Sequence, residues 1–320
     1  MEQQTLISEL ATDTLRGLTA GHKFLLSKYF YDDAGSLIFQ DIMQMPEYYL
    51  TDCELEIFET YKKQITASFH QGVHGFDLIE LGSGDGLKTK ILLHALVENN
   101  IHFNYIPIDI SHKANMGLVK SLKTEFPLMN VNARTGDYFH EIKKLNGYSG
   151  LRKVFLFLGS NIGNFPDEEI SLFLGQLSGM CHSGDKILIG FDLKKSPQVI
   201  MQAYSDPNGY TRRFNLNHLV RLNRELDADF IPDNFEHQTV YNPVSGTVKS
   251  FLVSKTEQSV YLAALETTIH FDRWEPIYME LSRKFDQRAI ETMASEHGFQ
   301  IEHQFTDRRN YFVNSLWVKK

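Results

Sequence analysis

A glycine-rich stretch that follows a mostly apolar run is the clearest candidate for ligand chemistry in this sequence. In ELGSGDG, Glu80 precedes Gly82, Gly84 and Gly86, and the residues before it are FDLI. Glycines at the end of a strand remove side chains, so that backbone atoms can approach a ligand closely. The alternative is a tight turn without a ligand, which a lone glycine cluster also forms.

Two further acidic residues follow later apolar runs. Asp109 comes after YIPI, where a carboxylate can accept hydrogen bonds from both hydroxyl groups of a ribose. Asp137 in GDYF follows a third candidate strand, where a side-chain acceptor can bind an adenine amino group. One acid beside the glycines and two at later strand ends together indicate a nucleoside site rather than a simple turn.

The glycine spacing distinguishes between nucleoside ligands. A dinucleotide fingerprint requires a glycine three residues after Gly84, and this chain has Leu87 there. Glu80 would repel a pyrophosphate, but it tolerates a sulfonium and an amino group, which are positively charged. The pattern therefore favours S-adenosylmethionine (SAM) and disfavours an NAD-dependent oxidoreductase.

From about residue 76, short apolar runs alternate with helical patterns in the sequence. The elements that they predict must position this site. Between the runs, the stretches LKTKILLHALVENN and ANMGLVKSLKTEFP have the apolar spacing of helices. This order is typical of an α/β fold with a parallel sheet, and the last 22 residues indicate an antiparallel hairpin at its end. We predict the class I methyltransferase fold, with a Rossmann-like, mostly parallel sheet of seven strands. Four of these strands are predicted at 76–82, 102–111, 153–160 and 185–193.

Two regions depart from the alternation. Residues 194–284 contain helical segments and then a strand-rich block, which we expect to form a β-meander inserted late in the α/β domain. Residues 1–52 precede the first strand and are expected to dock on this insertion. The predicted division assigns 53–193 with 285–320 to a SAM-binding domain, and 1–52 with 194–284 to an α+β substrate domain.

Composition and charge exclude several classes of function. The 320 residues are 42% hydrophobic, and 40 acidic against 32 basic residues give a formal charge of −8, which argues against nucleic acid as a partner. No apolar run approaches the roughly 18 residues of a membrane span, and the start lacks a secretory signal. Cys53 and Cys181 do not suggest disulfides, and the histidines show no metal-binding spacing. We expect a cytoplasmic monomer that acts on a small molecule without a metal.

Segments along nearly the whole chain resemble one family, the histidine-specific Nα-methyltransferases of ergothioneine biosynthesis. They run from KYFYDDAGSLIFQDIMQMPEYYLT through LIELGSGDGLKT, YIPIDIS, FLGSNIGNF and FNLNHLVRLNREL to YMELSRKF. The resemblance implies SAM as methyl donor and the α-amino group of L-histidine as acceptor, with the trimethylated betaine hercynine as product. It also implies that the N-terminal segment and the insertion together bind the amino acid.

The resemblance assigns roles to individual side chains. Tyr31 and Asn164 are the expected catalytic residues, and both act mainly by positioning the substrate. The expected substrate-binding residues are Tyr48, Asn164, Tyr204, Ser250, Glu280 and Ser282, and the expected SAM-binding residues are Glu80, Gly82, Ser83, Gly84, Lys88, Asp109, Asp137 and Tyr138.

Ordinary structural roles are also open to these residues. Asn164 can serve as a helix cap or turn residue, the tyrosines can pack in a core, and Glu280 can lie on a solvated face. Ser250 departs from the family, which has a methionine against the imidazole at this position. A serine enlarges the pocket or adds a hydrogen bond, so a histidine derivative or another aromatic amino acid is an alternative substrate. A non-catalytic SAM-binding regulatory module is the alternative outside enzymes.

Overall fold

The computed structural model of the protein describes residues 2–145 and 149–320. The chain divides into two compact units, and each is described by itself. The small unit consists of Met1–Tyr49 and Lys195–Ser282, and the large unit consists of Leu50–Lys194 and Arg283–Lys320. In the described part of the chain, no helix has both the length and the apolar character that crossing a bilayer requires.

The large unit is built around one mixed sheet with helices in the connections. Its strands are β1 (Phe76–Leu81), β2 (Phe103–Asp109), β3 (Asn130–Val131), β4 (Arg134–Thr135), β5 (Arg152–Phe157), β6 (Lys186–Asp192), β12 (Phe299–Thr306) and β13 (Phe312–Lys319). Its helices are α3 (Tyr49–His70, from the unit boundary), α4 (Thr89–Glu98), α5 (His112–Glu125), α6 (Tyr138–Lys143), α7 (Asp167–Met180) and α10 (Gln287–Glu296).

The strand order is β12-β13-β6-β5-β1-β2-β3, with β4 also beside β2. β1 pairs in parallel with β2 and β5, and β5 pairs in parallel with β6. β13 pairs antiparallel with both β6 and β12. Because β3 and β4 are short and pair with successive parts of β2, eight strands fill seven positions. The predicted class I sheet with its antiparallel hairpin is confirmed.

The central strands are apolar along their length because both faces of the sheet are covered. All residues of β1 and β6 are buried, as is usual for parallel strands between layers of helices. On one face, Ile79 and Phe155 belong to a core that includes Phe173 of α7 and Ile290 of α10. Parallel strands end at the same edge of a sheet, so the loops after β1, β2 and β5 lie close together.

The chain leaves and re-enters the large unit at neighbouring points. Leu193 and Phe285 form a parallel β-bridge, and the Lys194 amide donates to the Phe285 carbonyl at 2.8 Å. Beside this bridge, Asp192 and Lys284 form an ion pair at 2.8 Å, and both side chains are fully buried. These contacts fix the end of β6 to the start of the segment that leads into α10.

The small unit combines helices with two separate sheets. Its helices are α1 (Glu2–Leu18), α2 (Asp33–Met43), α8 (Pro197–Tyr204) and α9 (Tyr210–Leu226), and its strands are β7 (Phe235–Asn242), β8 (Thr247–Ser254), β9 (Gln258–Leu262), β10 (Thr267–Phe271) and β11 (Pro276–Arg283). Asp32 caps the start of α2 by accepting from the Gly35 amide, and it also binds Asn217 and Arg224 of α9. This cap joins the N-terminal segment to the inserted one.

The predicted β-meander is wrong in its pairing. β7, β8 and β11 form one sheet in the order β11-β8-β7, whereas β9 and β10 form a two-stranded sheet. β8 therefore pairs with β11 and not with β9. The Ser254 amide at the end of β8 donates to the Glu275 carbonyl, just before β11, at 2.9 Å. β9 instead bridges to the segment after α9 through Leu262 and Ala228.

Candidate active site

The loop after β1 adopts backbone conformations that suit glycine. Gly82 and Gly84 have φ values of 76° and 53°, in the left-handed region. A Cβ on Gly82 would lie 3.0 Å from the Tyr138 hydroxyl and 3.3 Å from Asn161 Nδ2, whereas a Cβ on Gly84 would meet nothing within 4 Å. The loop therefore approaches its neighbours closely at Gly82 and borders open space at Gly84.

Asp109 ties this loop to the end of β2. Its Oδ2 accepts from the Gly84 amide at 2.9 Å, and its Oδ1 accepts from the Ser111 amide at 2.8 Å. Burial raises the pKa of Asp109, although the backbone amides act in the opposite direction. A carboxylate has about four acceptor positions, and the backbone amides of Gly84, Ser111 and Ile110 use up to three of them, so at least one remains for a ligand's hydroxyl group. The predicted ribose contact stays a prediction, and this geometry suits it.

Ser83 supplies a direct test of whether the loop fits a polar ligand. Its side-chain oxygen is buried and has no hydrogen-bond partner among residues 2–145 and 149–320. Buried hydroxyl groups are nearly always paired, so an unpaired one beside glycines fits a polar ligand such as SAM. Asp137, in contrast, is exposed and caps α6 by accepting from the His140 amide at 3.3 Å, and its adenine contact stays a prediction.

Glu80 has a structural role that the sequence did not indicate. The carboxylate is buried and accepts hydrogen bonds from Thr89 of α4 and Tyr105 of β2. Burial raises the pKa of Glu80 to about 7, although both hydrogen bonds act in the opposite direction. Glu80 thus anchors α4 to the sheet below the loop, and direct contact with SAM stays a prediction.

Glu54 is a functional candidate that sequence reasoning missed. It lies on α3, is fully buried, and pairs with Lys88 Nζ at 2.5 Å. It also accepts from the Gly159 amide at 2.9 Å and from Asn314 Nδ2 at 3.1 Å. The sequence signal for its burial is its position on the apolar face of the helix. Ile57 and Phe58, three and four positions further on, are also buried.

The loop after β5 contains two asparagines. Ser160 has a left-handed φ of 58°, and its hydroxyl accepts from the Asp192 amide at 2.9 Å. Asn161 and Asn164 begin and end the following 3-10 turn, and both are half-buried. Within the described residues, neither carboxamide has a hydrogen-bond partner. The role of Asn164 as a side-chain cap is therefore not observed, and its carboxamide can bind a ligand.

In the small unit, several predicted substrate residues lie together. Tyr204 at the end of α8 shares a buried hydrogen bond of 2.7 Å with the Ser282 hydroxyl, and its ring centroid lies 6.4 Å from that of Tyr48. Thr239 donates to the Tyr204 carbonyl at 2.9 Å and is paired with Ser250 across β7 and β8. Directly paired residues point to the same face, so buried Ser250 lies on the face that Tyr204 covers.

Tyr31 and Glu280 lie around this group. Tyr31 contacts Phe39 at 5.5 Å between ring centroids, and Phe39 contacts Tyr48 at 6.2 Å. The tyrosines therefore pack as core residues do, in addition to any ligand role. Glu280 is half-buried and lies two residues before Ser282 on β11, so both point to one face of the strand.

The mostly parallel sheet with its terminal hairpin, together with the glycine loop and the carboxylate after β2, defines a class I SAM-dependent methyltransferase. Comparison with known proteins narrows the class. The profile of the family described as "Histidine-specific methyltransferase, SAM-dependent" matches residues 10–319. The chain belongs to this family, which confirms the resemblance seen in the sequence, the interpretation as an enzyme, and SAM as the methyl donor.

Named relatives are similar over almost the same length. A histidine N-alpha-methyltransferase of Mycobacterium tuberculosis is 34% identical, over 97% of this chain and 95% of the relative. The protein of the same name from Mycolicibacterium smegmatis is 35% identical over the same shares. Ergothioneine biosynthesis protein 1 of Schizosaccharomyces pombe is 27% identical over 74% of this chain and 31% of the relative.

Proposed function

We propose that this enzyme transfers the methyl group of SAM to the α-amino group of L-histidine, and repeats the transfer until the betaine hercynine is formed. The observation that carries the proposal is the buried hydroxyl pair of Tyr204 and Ser282, on the face that also holds Ser250. Hydroxyl groups within a core suit a polar substrate rather than an apolar one. The names of the relatives support histidine as that substrate.

The transfer requires geometry more than acid–base chemistry. When bound, SAM would supply the methyl group: the amine lone pair would form the new N–C bond in line as the C–S bond breaks, and S-adenosylhomocysteine would leave. Positioning of a neutral amine within about 3–3.5 Å of its target lowers the barrier by several kcal/mol. In the proposal, Asn164 binds the amino and carboxylate groups, Tyr204 binds the carboxylate, and Tyr31 and Tyr48 line the amino end. An α-amine titrates not far above neutral pH, so water can take its proton and no strong base is required.

Glu280 and Ser282 account for selectivity in the proposal. A partly buried carboxylate favours a ligand that donates a hydrogen bond, and an imidazole N–H is such a donor. A side chain without a donor would forgo this hydrogen bond to a charged group, which is worth about 1.5–3 kcal/mol. Three methyl transfers produce a quaternary nitrogen, and the ring faces of Tyr31 and Tyr48 suit that cation.

The test is an incubation of the protein with SAM and each of the standard amino acids in turn. Mass spectrometry should find histidine heavier by one, two and finally three methyl groups. A product that stops at one methyl group would limit the proposal to monomethylation. Unmodified histidine beside trimethylation of another amino acid would contradict it.

Ser250 favours a second candidate substrate class. A small hydroxyl residue in place of methionine leaves space for a histidine derivative or a larger aromatic amino acid, with the same attack by the α-amine. The same incubation, extended to ring-substituted histidines, distinguishes these substrates. A higher kcat/KM for a derivative than for L-histidine would favour the second candidate.

A further inference from the structure

The first asparagine of GSNIGN, Asn161, has no part in the proposed function. Its Nδ2 lies 3.3 Å from the position that a Cβ on Gly82 would take, and its Oδ1 lies 3.7 Å from the corresponding position on Gly159. Gly82 follows β1 and Gly159 follows β5, and these strands are neighbours. The Asn161 carboxamide therefore lies across two adjacent strand ends, both occupied by glycine.

The neighbours of Asn161 are side chains that the SAM site is expected to use. The Tyr138 hydroxyl lies 3.0 Å from the Cβ position of Gly82, and Lys88 Nζ lies 3.3 Å from that of Gly159. Both glycines have left-handed φ values, 76° and 69°. A side chain at either position would be strained and would crowd these groups. The glycines thus keep the space beside Asn161, Tyr138 and Lys88 clear for a ligand.

The strand order indicates which end of SAM meets Asn161. β2 pairs with β4 on one side and β1 on the other, and β1 pairs next with β5. The proposed contacts place the adenine at Asp137, after β4, and the ribose at Asp109, after β2. Neighbouring strands are about 4.8 Å apart, so the rest of the ligand continues over β1 towards β5. That remaining part is the amino-acid end, with its ammonium and carboxylate groups.

We propose that Asn161 binds the amino-acid end of SAM, an inference that rests on the proposed placement of the adenosine. A carboxamide suits this zwitterion because its oxygen accepts from the ammonium group and its NH2 donates to the carboxylate. Lys88 supplies positive charge for the same carboxylate. Lys88 Nζ is already paired with the Glu54 carboxylate at 2.5 Å. A neutral side chain that can both donate and accept hydrogen bonds therefore completes the site without adding net charge.

Calorimetric titration of the full chain with two ligands tests the inference. S-adenosylhomocysteine contains the amino-acid end, whereas 5′-methylthioadenosine lacks it. Asn161→Ala should weaken binding of S-adenosylhomocysteine on the order of a hundredfold, the loss expected for two charge-assisted hydrogen bonds. The same variant should bind 5′-methylthioadenosine as the wild type does.

Matched variants give the controls. Asn164→Ala makes the same substitution in the same loop and should leave the affinity for S-adenosylhomocysteine unchanged, because Asn164 is assigned to histidine. Asp109→Asn should weaken both ligands, since both contain the ribose. Asn161→Asp keeps the size of the side chain, and its charge should repel the ligand's carboxylate. This variant serves as the second test if Asn161→Ala lowers the Tm.

The outcomes separate this inference from the proposed function. If the Asn161 variants lowered the affinity for both ligands equally, Asn161 would serve to maintain the loop structure, and the inference would be overturned. Unchanged binding of both ligands would also overturn it. Neither result affects the proposed function, which fails instead if the wild-type protein does not methylate histidine.

Discussion

The two units hold their candidate ligand groups by different means. In the large unit, Asp109 accepts from two backbone amides, and Lys88 pairs with a buried carboxylate on Glu54. In the small unit, Tyr204 and Ser282 bind each other through their side chains, and the Tyr204 ring lies against that of Tyr48. The first site is fixed by the backbone of a sheet, and the second by side chains that packing holds in place.

This difference separates binding of the methyl donor, which must stay constant, from the choice of acceptor, which can vary. SAM is the same molecule in every member of the fold class, and a site built on backbone amides needs few particular side chains. In the proposal, the acceptor pocket is made of side chains, so a single substitution, such as one at Ser250, would change it. We therefore expect substitutions in the small unit to alter the choice of acceptor and to leave SAM binding nearly unchanged.

Asn164→Ala should give the largest effect and is the sharpest test of this separation, because Asn164 belongs to the large unit by chain position. Two charge-assisted hydrogen bonds to the substrate are lost, so kcat/KM for histidine should fall on the order of a thousandfold. Steady-state kinetics measure this fall, and the Tm checks the fold. A comparable loss of affinity for S-adenosylhomocysteine would break the distinction between the two sites.

Glu80→Gln tests the buried carboxylates of the large unit through pH. Because burial raises the pKa of Glu80 to about 7 from 4.5, the unfolded chain ionises first as pH rises. The stability that the protonated group contributes is present below pH 4.5 and is lost as pH rises to about 7. Relative to Glu80→Gln, the wild-type free energy of unfolding should fall by roughly 3 kcal/mol across this range.

Urea unfolding at a series of pH values measures this difference, with Trp317 as the fluorescent probe. Trp317 is fully buried in the large unit, and the other tryptophan, Trp274, can be replaced by phenylalanine in both proteins. A difference in unfolding free energy that does not change with pH would show that folding does not raise the pKa of Glu80.

Tyr204→Phe should have a smaller effect, confined to the acceptor. Loss of the hydroxyl that binds Ser282 should raise KM for histidine about tenfold and leave the affinity for S-adenosylhomocysteine unchanged. Ser282→Ala should act similarly, and the double variant should be little worse than either single one, because both remove the same contact. Fully additive losses would mean that the two hydroxyl groups act independently.

Ser250→Met should have the smallest effect and the most specific one. The larger side chain fills space on the face covered by Tyr204, so it should disfavour bulkier acceptors by about 1 kcal/mol, or several-fold. The ratio of kcat/KM for L-histidine to that for L-tryptophan should rise. An unchanged ratio would indicate that Ser250 does not contact the acceptor.

The large unit was predicted well because its strands and its glycine loop can each be recognised within a short stretch of sequence. Apolar runs gave the strands, and the glycines with Asp109 gave the loop at their ends. Glu54 was missed because its partners, Lys88, Gly159 and Asn314, are remote in sequence and meet only in the folded sheet. A buried carboxylate cannot be distinguished from an exposed one until those partners are known.

The small unit was predicted less completely for the same reason. A strand-rich block was predicted, but the pairing of β11 with β8 rather than β10 depends on contacts between segments far apart in sequence. The substrate residues came from the resemblance to a family, since no spacing rule links Tyr48, Tyr204 and Ser282. Their proximity becomes apparent only in the structure.

The bridge between Leu193 and Phe285 has a consequence for how such enzymes diversify. Because Lys194 and Asp192 are both hydrogen-bonded to Phe285, the two ends of residues 194–284 are held together by contacts within the large unit. A stretch of different length or fold could be exchanged there without altering the register of β6 and β13.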